Sequence, residues 1–344
     1  MNIDLNQAIS IKRQNLAHLL ARNNVVGVGV GYKESEGVVT DELAVVVNVM
    51  KKVPVAQLAE GDQVPRQIDG VRTDVVETGR FLAGQVQPRT ATAQVLGPKD
   101  RWRPLIPAGV SLAHVAVTAG TFGCLVRRGR DIFLLSNNHV LANVNNAQIG
   151  DAIIQPSRYD GGSEADKVAT LAHYIPIDFG GETPTSKTAT TIEKFLNWLS
   201  EKFKSKHRFM TYRTSPGENL VDVALARPLD PTQFNPDILK IGRPKGVHQA
   251  ILGMVVQKMG RTTDYTQGRI TQIEVTSSVD YNGRTATFTK QFMANGISLG
   301  GDSGSAVLDN EEYLVGLLYA GSSTATLINP IQTVLALLEV ELVL

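Results

Sequence analysis

A serine flanked by glycines stands out in the stretch SLGGDSGS, residues 298–305. A hydroxyl nucleophile needs a general base and nearby N–H donors for a developing oxyanion, and glycine lets a substrate carbonyl approach those donors closely. Ser303 is therefore the candidate nucleophile, and the N–H groups of Gly301 and Ser303 are the candidate oxyanion donors. The pattern predicts acyl-transfer chemistry.

The candidate base is one of six histidines. His139 closes the run 132–140, a buried-looking strand that leads into a short polar turn. Asp222 is a lone acid in the apolar run 219–226, where a carboxylate could orient an imidazole and stabilise its charged form. Taken alone, the first could be a structural histidine and the second a solvent-facing strand residue. With Ser303, they predict a nucleophilic triad.

The three segments LSNNHV, NLVDVALA and GGDSGS, which contain His139, Asp222 and Ser303, resemble the signature segments of trypsin-like peptidases, in that family's chain order. An α/β-hydrolase would have the order Ser, Asp, His and a Gly-x-Ser-x-Gly motif, but Ser305 stands two residues after the nucleophile. The resemblance covers residues 120–335 and includes KMGRTT. It implies a serine endopeptidase with a mostly β, chymotrypsin-like double antiparallel β-barrel.

The same resemblance predicts the substrate-binding residues. Tyr319, Ala320 and Gly321 would form the edge that pairs with a bound peptide and one wall of a specificity pocket. Ile297, six residues before the nucleophile, would lie at the pocket base. An apolar base argues against cleavage after Lys or Arg, because a buried cation would lack a partner. We expect cleavage after small or apolar residues.

The sequence departs from the digestive members of this family in its control elements. It has no disulfides, no activation-site pattern before Gly120, and a long insertion from about Gly161 to Pro216. In the digestive enzymes a freed N-terminus pairs with the acid equivalent to Asp302, but here a long segment precedes the barrels. We expect another partner for Asp302.

The segments GTFGCLV, LSNNHVLAN, GRTT and VGLLYAGSS, together with the N-terminal extension, also resemble bacterial relatives of the plant NARROW LEAF-like trypsin-like proteins. This resemblance implies a homo-oligomer. Cys124 in the first of these segments is expected to be a buried core thiol rather than a second nucleophile.

Composition excludes several other functions. The 344 residues include 34 Lys and Arg against 33 Asp and Glu, and this net charge of +1 gives no global field toward nucleic acid or an anionic membrane. A single cysteine excludes an intramolecular disulfide and favours a reducing compartment. The polar N-terminus resembles no secretory signal, and no apolar stretch is long enough for a membrane span. We expect a cytoplasmic enzyme that acts on protein or peptide substrates without a metal or cofactor.

The segment before the barrels reads as a small α+β unit. Apolar residues recur at near-helical spacing from Leu5 and stop at Asn23, and strands are predicted at Val25–Tyr32 and Glu42–Val49. The alternating glycines of the first strand lack the Gly-Lys-Ser/Thr of a phosphate-binding loop and favour a closely packed strand. Prolines between about residues 84 and 109 predict a linker.

We therefore expect an N-terminal domain with its linker over residues 1–105 and a peptidase domain over 106–344, with barrels at about 115–230 and 240–335 and the insertion at about 161–216. Short β-like runs are predicted at Gly123–Val126, Ile132–Leu135, Ala152–Gln155, Val221–Ala226, Met254–Lys258, Arg269–Thr276, Thr285–Met293, Ala306–Leu308 and Leu314–Tyr319.

Two helices are expected in addition to these strands. An apolar stripe from Ile192 to Phe203, behind a Thr190–Glu193 capping box, predicts a helix in the insertion, and residues 331–344 predict a C-terminal helix that fades into an apolar tail. A second hypothesis for function is a latent trypsin-like scaffold that acts as a regulated binding module. In this hypothesis, catalytic activity is low or conditional because the oxyanion loop is not preformed.

Overall fold

The structure is a computed structural model that describes residues 3–35, 37–84, 96–180, 191, 196–197 and 217–344. The helices with described bounds are α1 (Leu5–Leu20), α2 (Asn138–Leu141) and α3 (Ile331–Leu338). The strands before α2 are β1 (Val25–Ser35), β2 (Val38–Val49), β3 (Gln67–Ile68), β4 (Val71–Glu77), β5 (Phe81–Leu82), β6 (Ile106–Ala108), β7 (Ala113–His114), β8 (Cys124–Arg128) and β9 (Asp131–Ser136).

The strands after α2 complete the fold. They are β10 (Ala152–Ile154), β11 (Lys167–Tyr174), β12 (Glu218–Asn219), β13 (Ala224–Pro228), β14 (Phe234–Ile238), β15 (Val255–Gly260), β16 (Asp264–Tyr281), β17 (Arg284–Asn295), β18 (Ala306–Asp309), β19 (Leu314–Gly321), β20 (Ala325–Pro330) and β21 (Glu341–Leu342). Most neighbours pair antiparallel, and the fold is mostly β, as predicted.

Six strands close into a ring. The pairings run β15-β16-β17-β20-β19-β18 and return to β15, which makes the second barrel of the predicted pair. The first half is a seven-stranded sheet in the order β21-β8-β9-β13-β11-β10-β7. Buried side chains of both sheets, among them Leu135 and Leu317, form one continuous apolar core. This core fixes the two sheets against each other.

The hairpin of β16 and β17 extends well beyond the ring. Its turn, Asn282-Gly283, has positive φ at both residues, as two-residue hairpin turns require. Tyr281 faces Arg284 across the turn and is buried. The hairpin therefore carries the Tyr281 hydroxyl away from the six strands that form the second barrel.

The N-terminal unit continues the sheet of the second barrel. Helix α1 begins where the Asp4 carboxylate accepts the Gln7 N–H at 2.8 Å. Strand β1 pairs with β2 on one side and with β16 on the other. A Cβ on Gly31 would lie 2.6 Å from the Thr271 carbonyl, so this glycine strand is closely packed against its neighbour, as predicted. The division at residue 105 stays a prediction.

Several predicted elements have wrong bounds, and the structure gives the reason for two of them. The run Val221–Ala226 becomes a strand only from Ala224, because the Asp222 peptide groups bond to side-chain amides instead of a strand. The C-terminal helix ends at Leu338, where Glu339 has a φ of 51°, and β21 follows and pairs with β8. The apolar tail therefore closes the first sheet.

Most of the helix predicted from Ile192 to Phe203, its capping box and most of the predicted insertion lie outside the described residues. Over the described ranges, no helix has the length and apolar character needed to cross a membrane.

Candidate active site

His139 lies on α2, the short turn that follows β9. The Asn138 side chain holds this turn by donating to Asn145 Oδ1 at 2.7 Å and to the Ile175 carbonyl at 2.8 Å. The imidazole is only 3% exposed. A rigid turn with amide anchors therefore fixes the direction in which His139 points.

Asp222 is fully buried and binds His139 directly. Its Oδ2 lies 2.6 Å from His139 Nδ1, and its Oδ1 accepts the His139 backbone N–H at 3.2 Å. The Tyr281 hydroxyl donates to the same Oδ2 at 2.8 Å. Three donors thus satisfy a carboxylate that would otherwise be costly to bury, and they hold it as the orienting partner of the imidazole.

Burial, followed by the negative charge of Asp222, raises the pKa of Tyr281 well above its ordinary value. The hydroxyl therefore stays protonated and remains a donor throughout the working pH range. Sequence reasoning missed Tyr281. The Asn-Gly pair after it was the available signal, since it predicts a hairpin tip.

Backbone contacts also hold Asp222 in place. The Asn137 side chain donates to the Asp222 carbonyl at 2.7 Å, and the Asp222 N–H donates to Asn329 Oδ1 at 3.2 Å. Asn137 precedes α2 at the end of the first sheet, and Asn329 lies on β20 of the second barrel. The backbone of Asp222 is therefore hydrogen-bonded to both halves of the fold.

Ser303 lies between two glycines with positive φ, +98° at Gly301 and +93° at Gly304. A Cβ on Gly304 would come within 2.3 Å of the Thr121 carbonyl, so no larger residue fits there. The Ser303 carbonyl accepts the Thr121 N–H at 2.9 Å, and the Gly304 N–H donates to the Leu318 carbonyl at 2.8 Å. Residues 298–305, which we call the nucleophile loop, are thereby bound to both sheets.

The Ser303 hydroxyl is not hydrogen-bonded to the imidazole in this conformation. Its Oγ donates to the Tyr319 carbonyl at 3.4 Å, whereas His139 Nε2 is buried with no hydrogen-bond partner in the described part of the chain. Ser303 itself is 5% exposed. Catalytic hydrogen bonds are often loose in free enzymes and tighten with substrate.

The predicted oxyanion donors, Gly301 and Ser303, lie on this loop. Among the residues that the structure describes, neither N–H donates to a protein acceptor. Both are therefore available to an oxyanion.

Asp302 has a partner other than a freed N-terminus, as the sequence analysis predicts. Lys258 Nζ lies 3.4 Å from its Oδ2, and both side chains are fully buried. The carboxylate also accepts the N–H groups of Thr262, Thr263 and Leu299 at 2.7, 3.1 and 3.0 Å. Burial lowers the pKa of Lys258, and the neighbouring Asp302 charge opposes part of that shift. Lys258 thus anchors the nucleophile loop from inside.

The predicted substrate-binding residues divide into two groups. Tyr319, Ala320 and Gly321 end β19, with the Tyr319 carbonyl beside the nucleophile. Ile297 instead packs into the core of the second barrel, where a Cβ on Gly268 would meet its Cγ2 at 2.4 Å. Its role at a pocket base stays a prediction.

Ser298, the next residue, faces the β19 edge more directly. A Cβ on Gly321 would lie 3.1 Å from Ser298 Oγ, and this hydroxyl bonds to Thr326 Oγ1 at 2.8 Å. Sequence reasoning missed Ser298, since a serine five residues before a nucleophile carries no local signal.

Cys124 is buried, and burial raises the pKa of its thiol to about 12. A thiol that does not ionise is no nucleophile. Within the described residues, no three His, Cys, Asp or Glu side chains are grouped so that they could hold a metal ion.

A buried His–Asp pair and a serine between constrained glycines, in the chain order His, Asp, Ser on paired β-sheets, define the class of serine hydrolases with a double-barrel fold. Residues 120–317 match the trypsin-like peptidase domain, and the chain belongs to that family. It is a serine endopeptidase.

Three solved structures that are similar to this chain are distant from it in sequence. Thermobifida fusca protease A is 17% identical, covering 70% of this chain and 99% of its own, with a TM-score of 0.44. Cellulomonas bogoriensis chymotrypsin is 15% identical, with coverages of 69% and 99% and a TM-score of 0.42. Nocardiopsis protease is 14% identical, with coverages of 70% and 99% and a TM-score of 0.42. A search of curated proteins found no match.

Proposed function

We propose that the protein hydrolyses peptide bonds of protein or peptide substrates through His139, Asp222 and Ser303. The observation that supports this most is the 2.6 Å contact between His139 Nδ1 and Asp222. It fixes the tautomer in which Nδ1 carries the proton and Nε2 keeps a free lone pair. Nε2 is then the atom that can exchange a proton with the nucleophile.

In the proposed reaction, Ser303 Oγ attacks the scissile carbonyl carbon while His139 Nε2 takes the hydroxyl proton. The N–H groups of Gly301 and Ser303 bind the oxyanion, and the imidazolium returns the proton to the leaving amine. Water then gives a proton to Nε2, attacks the acyl-enzyme and releases the carboxylic acid, and Ser303 regains its proton. Asp222 stabilises the imidazolium in both steps and stays ionised.

We propose small or apolar residues on the acyl side of the cleaved bond. Support comes from the surroundings of the β19 edge, where Ser298 and Thr326 offer neutral hydroxyls and Ile297 is apolar. None of these three side chains carries a negative charge that could pair with a buried Lys or Arg of a substrate.

The alternative is a latent enzyme that serves as a regulated binding module. The contact of Ser303 Oγ with the Tyr319 carbonyl, in place of His139, favours it. The expected homo-oligomer and cytoplasmic location likewise remain predictions.

Intact-mass spectrometry after treatment with a fluorophosphonate tests the proposed nucleophile. We expect one adduct on the wild-type protein, none on Ser303→Ala, and one on Ser305→Ala. Ser305 is a matched control because it lies two residues away, is fully buried and bonds to the Asp302 carbonyl at 2.6 Å. Equal labelling of wild type and Ser303→Ala would refute the assignment.

A further inference from the structure

Strand β5 lies on the edge that a peptide substrate is expected to use. It runs between β16 and β19, parallel to β16 with Phe81 opposite Val279, and antiparallel to β19 with Leu82 opposite Gly321. Gly321 is the last residue of the edge proposed to pair with substrate. The chain's own strand therefore occupies that edge.

The peptide groups of Leu82 face β19. The Ala83 N–H donates to the Asp280 carbonyl on β16 at 3.2 Å. Successive residues of a strand direct their N–H and C=O groups to opposite sides, so those of Leu82 point to Gly321. This main-chain pairing is how a peptide adds as an extra strand to a sheet edge.

The register leads β5 toward the nucleophile. In an antiparallel pair, each step forward from Leu82 matches a step back from Gly321, so the chain that follows Leu82 heads toward Tyr319. The Tyr319 carbonyl is the group that accepts the Ser303 hydroxyl. The segment thus approaches Ser303 in the direction and alignment of the acyl half of a substrate.

The side chains of the segment are sorted as in a bound peptide. Phe81 and Ala83 are buried in an apolar cluster with Tyr281 and Tyr319, whereas Leu82 is partly exposed. Gly84 has a φ of +84°, so the chain leaves the extended conformation after Ala83. The cluster takes an aromatic ring at Phe81 and, two residues later, the small side chain of Ala83.

We propose that Phe81–Gly84 is an internal peptide ligand of the active site, which holds the enzyme inhibited until the strand leaves β19. The near-complete burial of His139 and Ser303 agrees with a covered site. This inference depends on the proposed peptidase function. It also names the substrate class: extended peptides that carry, on the acyl side of the cleaved bond, an aromatic residue two positions before a small one.

Leu82→Pro tests the inhibition because it removes the one N–H that faces Gly321 and leaves the Ala83 bond to Asp280 in place. The matched control, Leu82→Ala, keeps that N–H. Two reagents are compared: a small fluorophosphonate and a diphenyl phosphonate of the peptide Phe-Leu-Ala-Gly. We expect the peptide reagent to label Ser303 at least about tenfold faster in Leu82→Pro than in wild type or Leu82→Ala, because an intramolecular ligand competes at high effective concentration.

If each reagent labels Ser303 at the same rate in wild type, Leu82→Pro and Leu82→Ala, the internal-ligand proposal is overturned and the peptidase proposal stays intact. Failure of both reagents to label any of the folded proteins would instead overturn the peptidase proposal, and the internal ligand with it. If Leu82→Pro does not fold, as judged by circular dichroism, Phe81→Ala carries the same test. It removes the buried ring that holds the strand, and the same acceleration is expected.

Discussion

Asp222 depends on a hydroxyl that comes from far along the chain. Tyr281 and His139 share the same carboxylate oxygen, and the two rings meet edge to face with centroids 5.7 Å apart. A hydrogen bond from a neutral hydroxyl stabilises the ionised acid and draws some of its charge away from the imidazole. Tyr281 is a positioning residue, because it acts through Asp222.

We predict that Tyr281→Phe slows fluorophosphonate labelling of Ser303 by about tenfold, because a hydrogen bond to a charged group contributes roughly 1.5–3 kcal/mol. Without the hydroxyl, Asp222 loses one of the three donors that hold its carboxylate against His139. The measurement is the second-order rate of fluorophosphonate labelling of Ser303 between pH 5 and 9.

Tyr265→Phe is the matched control, since Tyr265 lies on β16 like Tyr281 and its hydroxyl bonds to Gln257 at 2.9 Å. Its labelling rate should follow wild type. Labelling of Tyr281→Phe at the wild-type rate would mean that the hydroxyl does not position Asp222.

The triad candidates were visible in the sequence because each lies in a distinctive local context. Ser303 is bracketed by glycines, and Asp222 is an acid among apolar residues. Tyr281 and Lys258 have no such context. Their importance comes from partners 59 and 44 residues away, and a single sequence does not give those pairings.

At the scale of elements, β15 and the nucleophile loop form one unit. Lys258 on β15 bonds to Thr263 Oγ1 and to the Asp264 carbonyl as well as lying near Asp302. This network fixes the loop before Ser303 from within the barrel. No cleaved N-terminus is needed to satisfy the acid.

Replacing Lys258 by Met is expected to cost about 3 kcal/mol of unfolding free energy, because it leaves the buried Asp302 charge without a cation. Labelling of Ser303 should slow as well, since the loop that presents it loses its anchor. Urea denaturation and fluorophosphonate kinetics measure the two effects.

Lys240→Met supplies the comparison, because Lys240 pairs with Asp264 at the surface. An exposed pair contributes roughly 0–1 kcal/mol. If Lys258→Met proved no more destabilising than Lys240→Met, the anchor would be wrong.

Most predicted strands were found because alternating apolar residues mark half-buried strands. The predictions failed where a side chain overrides the backbone pattern. Asp222 lies in a run that reads as strand, yet side-chain amides take its peptide groups. The strand predicted at Arg269–Thr276 was also shorter than β16. Bulges in the pairing of β16 with β1 and β17 interrupt the alternation of apolar and polar residues along it.

At the scale of the whole molecule, the N-terminal unit is coupled to the active site through one strand. Strand β16 pairs with β1 over residues 272–277, with β5 at 279–280, and ends at Tyr281. Paired amides of Asn48 and Gln272 lie buried at this junction. A change in the docking of the N-terminal unit would therefore reach both the internal ligand and Asp222.

Lys12 on α1 is a buried charged contact at this junction. Its Nζ donates to Thr276 Oγ1 at 2.9 Å, and the side chain is buried. Burial lowers the pKa of Lys12 from 10.5 to about 8, although Glu274 opposes the shift. Between these two values the unfolded chain binds the proton more tightly than the folded chain. Stability therefore rises with pH across this window and is constant below it.

We predict that Lys12→Met removes this dependence. Relative to the variant, wild type should gain on the order of 3 kcal/mol between pH 8 and 10.5, and the difference should stay constant between pH 6 and 7. Urea unfolding at each pH measures it. Arg13→Met serves as control, because Arg13 is exposed, pairs with Glu274 at 2.9 Å and keeps its charge throughout. A difference between wild type and Lys12→Met that does not vary from pH 7 to 10 would show that the Lys12 ammonium is not removed from solvent at this junction.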